Sequence, residues 1–303
     1  MKPNLDTQYL IYRTTDVVGQ PAATWQVAPH GADHIVLLVT LQDGRRVVAK
    51  AGAEAAVDAY VLDRLQTVQA KVPTILGHVP LTHDERTDSL LIMSAIDSPL
   101  LADVPGPLSR YLPSLVTELQ RVHRITTTIG AGPVLEVING SPQTWRDYLR
   151  RVLTGENAEF HWSTIQRDAR LDSTTLKAGI EWLARQVTHL AEPESLNLLH
   201  GDLNPYNIFV DDHNVVAIID WSYARFGDPL FDFARLRMNP FIRTDPLTVK
   251  QYFDLLQLAP LEQEREHIYY VFNLLEYVNW YYQDHELGRV KEQLTLIAQE
   301  IQA

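Results

Sequence analysis

A two-lobed α+β fold is predicted, with a small β-rich first lobe over residues 1–96 and a larger, mostly helical second lobe over residues 97–303. Three observations carry the prediction. Short β-branched and aliphatic segments set apart by turn residues crowd into the first third of the chain. After Ile96-Asp97-Ser98-Pro99 the pattern changes to helical periodicity. The 303 residues, 46% of them hydrophobic, suffice for two lobes with real cores.

In the first lobe, Thr24–Ala28, His34–Leu41 and Arg45–Lys50 read as strands, and Asp43-Gly44 between the last two is a hairpin signal because both residues accept positive φ cheaply. Ala53–Leu65 places Val57, Val61, Leu62 and Leu65 at helical spacing. Two more strands follow, near Thr74–Val79 and Ser89–Ala95, around the polar turn Asp84-Glu85-Arg86-Thr87-Asp88. That makes five strands and one helix. In the second lobe, Leu108–Arg124, Thr144–Leu153 and Ser173–Leu190 read as helices, the last with Ser173 as a suitable N-cap. Strands reappear as Leu196–Leu199 and Val215–Ile219, and after Pro229 the chain is helical to its end.

The composition excludes several functions. Without cysteine there are no disulfides, thiolate metal sites or cysteine nucleophiles. A net charge of −12 disfavours nucleic acid and suits a small cationic ligand. The longest apolar runs, such as Ile35-Val36-Leu37-Leu38-Val39, are too short to span a membrane, and Met1–Asp6 carries no apolar signal core. A cytoplasmic protein, monomeric or homodimeric, is expected.

The chemistry concentrates in His200-Gly201-Asp202-Leu203-Asn204-Pro205-Tyr206-Asn207 and in Asp220, which follows the apolar run Val215–Ile219. An acid, an amide five positions later and a second acid at the end of the next strand are parts for phosphoryl transfer. Asp202 can orient a hydroxyl as catalytic residue, while Asn207 and Asp220 offer hard oxygen ligands to Mg²⁺ beside nucleotide phosphates. Pro205 fixes one backbone angle between them. His200 reads as a packed loop anchor. Gly227-Asp228-Pro229 with Asp232 reads as a helix start that braces the strand end bearing Asp220.

Lys50 closes Val47-Val48-Ala49-Lys50, where a lysine can reach the α- and β-phosphates of ATP. Glu54 and Asp58 are its candidate partners. Asp58 is the better placed, being in phase with Leu62 and Leu65. Gly31, in Pro29-His30-Gly31-Ala32-Asp33-His34, offers a backbone cradle for phosphate, and Ala95 at the last strand end joins the nucleotide-facing set. In the aromatic helix Tyr269–Trp280, Glu276 and Trp280, with Asp284 just beyond, are candidates to bind an amine-bearing substrate through carboxylates and a ring face.

The residues His200–Ile208, then Ile218-Ile219-Asp220-Trp221-Ser222 and Gly227-Asp228-Pro229, resemble the aminoglycoside phosphotransferase and choline kinase-like superfamily, a branch of the protein-kinase-like fold. Thr144-Trp145-Arg146-Asp147-Tyr148 and His161-Trp162-Ser163-Thr164 are similar to its hygromycin-phosphorylating branch. The resemblance implies Asp202 as catalytic aspartate, Asn207 and Asp220 as magnesium ligands and Lys50 on the nucleotide phosphates. The family often has glutamate where this chain has Asp58. The expected activity is ATP- and Mg²⁺-dependent phosphorylation of a hydroxyl on a small cationic molecule, an aminoglycoside foremost. A metabolic kinase for choline, homoserine, a sugar or a macrolide is the alternative, and a non-catalytic nucleotide sensor the third possibility.

Overall fold

The computed structural model describes residues 6–28, 34–83, 86–140, 143–156 and 159–302. In chain order its elements are α1 (Thr7–Val18), β1 (Ala22–Val27), β2 (Ile35–Leu41), β3 (Arg46–Gly52), α2 (Ala55–Thr67), β4 (Ile75–His83), β5 (Arg86–Ser94), α3 (Leu112–Val122), β6 (Thr126–Thr127), β7 (Gly132–Pro133), α4 (Val134–Ile138), α5 (Trp145–Thr154), α6 (Trp162–Arg167), α7 (Ser173–His189), β8 (Leu196–Leu199), β9 (Ile208–Val210), β10 (Val215–Ile218), β11 (Arg225–Gly227), α8 (Leu230–Arg237), α9 (Pro240–Arg243), α10 (Pro246–Leu256), α11 (Pro260–Gln283) and α12 (Leu287–Glu300). The expected α+β class, strand-rich first and helix-rich later, is the one observed.

The chain forms two compact units, and the break is not at residue 96. The first runs to Ile125 and also contains Pro205–Ala224; the second comprises Thr126–Asn204 and the chain from Arg225 onward. The returning piece is the β9–β10 hairpin, and hydrogen bonds explain its membership. Val210 N–H donates to the Pro99 carbonyl at 3.0 Å and Ile218 N–H to the Lys71 carbonyl at 2.8 Å. Lys71 Nζ donates to the Val215 carbonyl at 2.6 Å, and Val215 N–H to Ser114 Oγ at 2.9 Å. The segment Val215–Ile219, placed by sequence in the helical lobe, is therefore paired with β9 and edged and capped by the first unit.

The first unit is built on an antiparallel sheet in the order β1-β2-β3-β5-β4. Strand alternation divides its side chains between two faces. Val47, Ala49 and Ala51 of β3 join Leu37, Val39, Leu41, Leu81, Leu90 and Ile92 in a core that also takes Leu10 and Ile11 of α1. Helix α1 is absent from the sequence expectation of one helix; its start is capped by Asp6, whose Oδ1 accepts from Gln8 N–H at 2.9 Å. Lys50 lies on the opposite face of β3, the face covered by α2, which buries Val57, Asp58, Val61, Leu62 and Leu65.

The second unit packs its helices around a small sheet in the order β6-β8-β11-β7. Its long axis of support is α11, whose apolar face carries a buried polar stripe. Glu266 accepts from Arg237 at 2.8 and 3.0 Å and from the Tyr252 hydroxyl at 2.9 Å. The Tyr269 hydroxyl donates to Asp228 Oδ2 at 3.0 Å and accepts from Trp145 Nε1 at 2.9 Å. Asn279 Oδ1 accepts from His161 N–H at 2.9 Å. Together with the buried Asn273 and Glu276 these residues recur at three and four positions along one helix face, which makes the stripe internal bracing.

Trp145, fully buried, stacks on Tyr148 and meets Phe231 and Tyr269 edge-on. It lies so close to Gly227 that a β-carbon there would come within 2.4–2.7 Å of three ring atoms. Gly227 is thus required by space. Gly227→Ala is expected to lower unfolding free energy by about 1–3 kcal/mol through overpacking. Gly288→Ala, in α12 with no atom within 4 Å of the new methyl, should be neutral or stabilising by up to about 1 kcal/mol. Urea unfolding of the two variants checks the contrast.

Candidate active site

In the first unit, three elements converge on Lys50. The end of β3 supplies the ammonium, α2 supplies Asp58 and the turn after β10 supplies Asp220. Lys50 Nζ lies 2.7 Å from Asp58 Oδ2 and 2.7 Å from Asp220 Oδ1, and donates to Ser222 Oγ at 2.8 Å. Lys50 and Asp58 are buried, whereas a third of the Asp220 side chain reaches solvent. Of the two candidate acids, Asp58 is therefore the one in contact with Lys50. Its other oxygen accepts from Trp221 N–H at 2.8 Å, so the same carboxylate fixes the backbone next to Asp220. Asp58, the shorter acid, reaches both partners because α2 packs directly on this face of β3.

Charge pairing outweighs desolvation here. Burial works against the Lys50 ammonium, but Asp58 and then Asp220 raise its pKa above the ordinary value. Burial alone would push the Asp220 carboxyl up, yet Lys50 and the Ser222 hydroxyl hold it well below the usual carboxylate range. Both shifts favour the charged forms of Lys50 and Asp220. Asp220 also carries φ of 64°, the left-handed region that a non-glycine residue adopts only where its surroundings fix it.

Asn207, buried at the end of a single 3-10 turn that begins at Pro205, is brought beside this turn by the hairpin. Its carbonyl accepts from Ile219 N–H at 2.9 Å, one residue before Asp220. An amide oxygen and a carboxylate are the hard donors magnesium prefers. Among the described residues no group of three or more His, Cys, Asp or Glu forms a metal site. His34, at the entry to β2 opposite Gly52, is half-buried; burial and the Lys50 charge lower its pKa, and its Nδ1 is buried without a partner. The nearby Gly31 assignment falls outside the described residues. Ala95 follows β5 with its N–H committed to the Arg46 carbonyl at 3.2 Å.

In the second unit, Asp202 sits in the turn after β8. Gly201 holds φ of 80° there, which only glycine adopts freely. Asp232 of α8, fully buried, accepts from His200 N–H at 2.8 Å and Gly201 N–H at 3.0 Å. Sequence placed the brace from this region on the strand end bearing Asp220; Asp232 instead clamps the turn bearing Asp202. His200 is buried and its Nδ1 accepts from Asp202 N–H at 3.2 Å, an anchor in geometry. Asp202 Oδ2 accepts from Asn204 Nδ2 at 3.0 Å and Oδ1 from the Tyr277 hydroxyl at 3.3 Å. Its side chain is half-buried.

The assignment of Glu276 to substrate needs correction. The residue is fully buried, with Oε1 2.9 Å from Arg225 and Oε2 2.8 Å from Arg235. Both oxygens serve the interior, and uncovering them would strand two buried guanidinium groups. Trp280 is half-buried with its ring 5.7 Å from that of Phe160, and Asp284 caps the C-terminal end of α11, exposed. Tyr277 and Arg235 were not singled out from sequence. The signal available was position alone: Tyr277 follows Glu276 on the same aromatic helix, and Arg235 lies three residues after Asp232.

Residues 24–269 match the profile of the phosphotransferase enzyme family. A relative, the hygromycin-B 4-O-kinase of Escherichia coli, is 30% identical over 114 residues, which make up 37% of this chain and 31% of that enzyme. The chain thus matches about a third of that relative's length. Among solved structures, a thermostable mutant of aminoglycoside phosphotransferase APH(4)-Ia superposes with a TM-score of 0.76, covering 96% of this chain and 98% of that one at 18% identity. Its ternary complex with ADP and hygromycin B gives 0.75 over 97% of each chain at 18% identity. A putative fructosamine-3-kinase from Haemophilus somnus 129PT gives 0.67 over 96% and 98% at 13% identity. At such identities the structures speak for the fold, while the profile match spans most of the chain. The chain belongs to the phosphotransferase enzyme family, and its fold is the kinase-like fold of the aminoglycoside phosphotransferases.

Proposed function

We propose that the protein transfers the γ-phosphate of ATP to a hydroxyl of a small cationic molecule, an aminoglycoside of the hygromycin type. The observation that carries the reading is Lys50 held 2.7 Å from both Asp58 and Asp220, a buried charge cluster of the kind phosphoryl transfer uses to seat a nucleotide. Family membership and the partial match to hygromycin-B 4-O-kinase support the acceptor class. The net charge of −12 agrees with a cationic acceptor.

In this reading Lys50 steadies the α- and β-phosphates, and Asp58 keeps the ammonium aimed by holding both Nζ and the Trp221 backbone. Asn207 and Asp220 are the residues that would hold Mg²⁺. When bound, the ion neutralises charge gathering on the β- and γ-phosphate oxygens. Asp202 accepts the hydrogen bond of the substrate hydroxyl, turns its oxygen toward the γ-phosphorus and takes its proton as the new O–P bond forms and the bond from the γ-phosphorus to the β-phosphate oxygen breaks, with ADP leaving. Little covalent work falls to the protein, so positioning and charge stabilisation carry the rate.

Asp202→Ala is expected to abolish turnover while ATP binding by calorimetry persists; turnover retained within about tenfold would remove Asp202 from the reaction. For the phosphate-seating role, Asp58→Ala should raise the KM for ATP by about tenfold or more, because Lys50 and the Trp221 N–H lose a shared acceptor. Glu54→Ala should leave it unchanged. The acceptor is tested by growth of cells producing the protein on hygromycin B and other aminoglycosides. Resistance that disappears with Asp202→Ala is the expected result. ATP consumption with choline, homoserine or a sugar and with no aminoglycoside would move the assignment to a metabolic kinase.

A further inference from the structure

We propose that Tyr277 is a positioning residue for Asp202, its hydroxyl fixing the orientation of the carboxylate that receives the substrate proton; this rests on the catalytic role given to Asp202 above. A carboxylate on one side-chain bond swings freely unless both oxygens are engaged. Oδ2 is engaged from within the same turn by Asn204, two residues away, and follows that turn wherever it goes. Oδ1 is engaged from α11, by a residue 75 positions later in the chain. The long-range bond ties the carboxylate to the frame of the unit.

The frame on the far side is rigid. The guanidinium of Arg235 lies 4.4 Å over the Tyr277 ring, and the ring of Tyr281 stacks against it at 5.3 Å and 14°. Arg235 Nη2 donates to the Gly201 carbonyl at 2.9 Å and to Glu276 Oε2 at 2.8 Å. Its Nε and Nη1 are buried without an oxygen partner. Buried orphan donors on an arginine are costly, and the aromatic face beneath them accounts for the arrangement. One guanidinium thus grips the carbonyl just before Asp202 and the ring that reaches its carboxylate. Burial and the Asp202 charge raise the Tyr277 pKa and outweigh the opposing pull of Arg235, so the phenol keeps its proton and acts as donor. The buried Glu276, excluded from substrate, has its place here as the anchor of Arg235.

Tyr277→Phe keeps the ring, its stacking and the cation–π contact, and removes only the hydroxyl. The expected result is a fall in kcat of about tenfold or more, by the loss of alignment, with the KM for ATP within about twofold and the urea midpoint of the wild type. ADP release is measured for wild type, Tyr277→Phe, Asp202→Asn and the double variant, with hygromycin B as acceptor and with water alone. If Tyr277 acts through Asp202, its substitution costs nothing further in the Asp202→Asn background. A kcat within about twofold of wild type overturns the proposal, as does an equal loss in both backgrounds. A wild type that releases no ADP, or an Asp202→Asn variant that turns over normally, instead overturns the catalytic reading of Asp202, and is recognised without reference to Tyr277. Tyr277→Leu, which removes the ring as well, should lower the unfolding midpoint, separating loss of packing from loss of the hydroxyl.

Discussion

An ammonium group taken out of water between two carboxylates is the constraint on which the first unit depends. A buried lysine with one acid missing would leave an uncompensated charge, a cost of several kcal/mol. The cluster therefore holds only while β3, α2 and the turn after β10 are all in place, and each contributes one charge. Asp58 adds coupling, since its second oxygen fixes the Trp221 N–H. That bond helps to keep Asp220 at its positive φ. Two acids against one base leave the cluster net negative, and Asp220 is the member that reaches solvent. Local charge is thus left where a cation bridging to phosphate would be welcome.

The second unit uses buried charge in the same manner for a different end. Asp232 and Glu276 are both fully inaccessible. One accepts from the backbone on the entry side of Asp202; the other anchors Arg235, which grips the Gly201 carbonyl. Arg225 completes the pairing on Glu276 and also donates to Tyr148 at 2.8 Å. Trp145, pressed on Gly227, holds β11 in the same packed layer. The chemical group itself remains half-buried, while the groups that aim it are sealed in the interior. That division would let the carboxylate proposed for catalysis stay accessible without being loose.

Legibility in the sequence followed locality. Lys50 and Asp58 could be paired because alternation along a strand and 3.6-residue phasing along a helix aim side chains predictably. Asp202, Asn207 and Asp220 stood out because one turn and one hairpin gather them within nineteen residues of chain. What depends on distant partners was not readable. An acid on a helix looks alike whether it meets solvent or two arginines 51 and 41 residues earlier, so Glu276 was misassigned. Helix α1 carries few strongly apolar residues, with Leu10 and Ile11 as its buried aliphatic anchors, and its burial against the sheet comes from tertiary contact. Of the β9–β10 hairpin only the strand at Val215–Ile219 is legible in the sequence; its pairing with β9 and its membership of the first unit follow from bonds, among them those to Lys71, Pro99 and Ser114, that no local pattern announces.

The central proposal is phosphoryl transfer to a bound hydroxyl. Mass spectrometry of hygromycin B after incubation with the protein, ATP and magnesium tests it most directly. A single added phosphoryl group on the antibiotic, formed in step with ADP and absent with Asp202→Ala, is the predicted result. Unmodified antibiotic alongside ATP that binds yet is never consumed, with any acceptor offered, would contradict it.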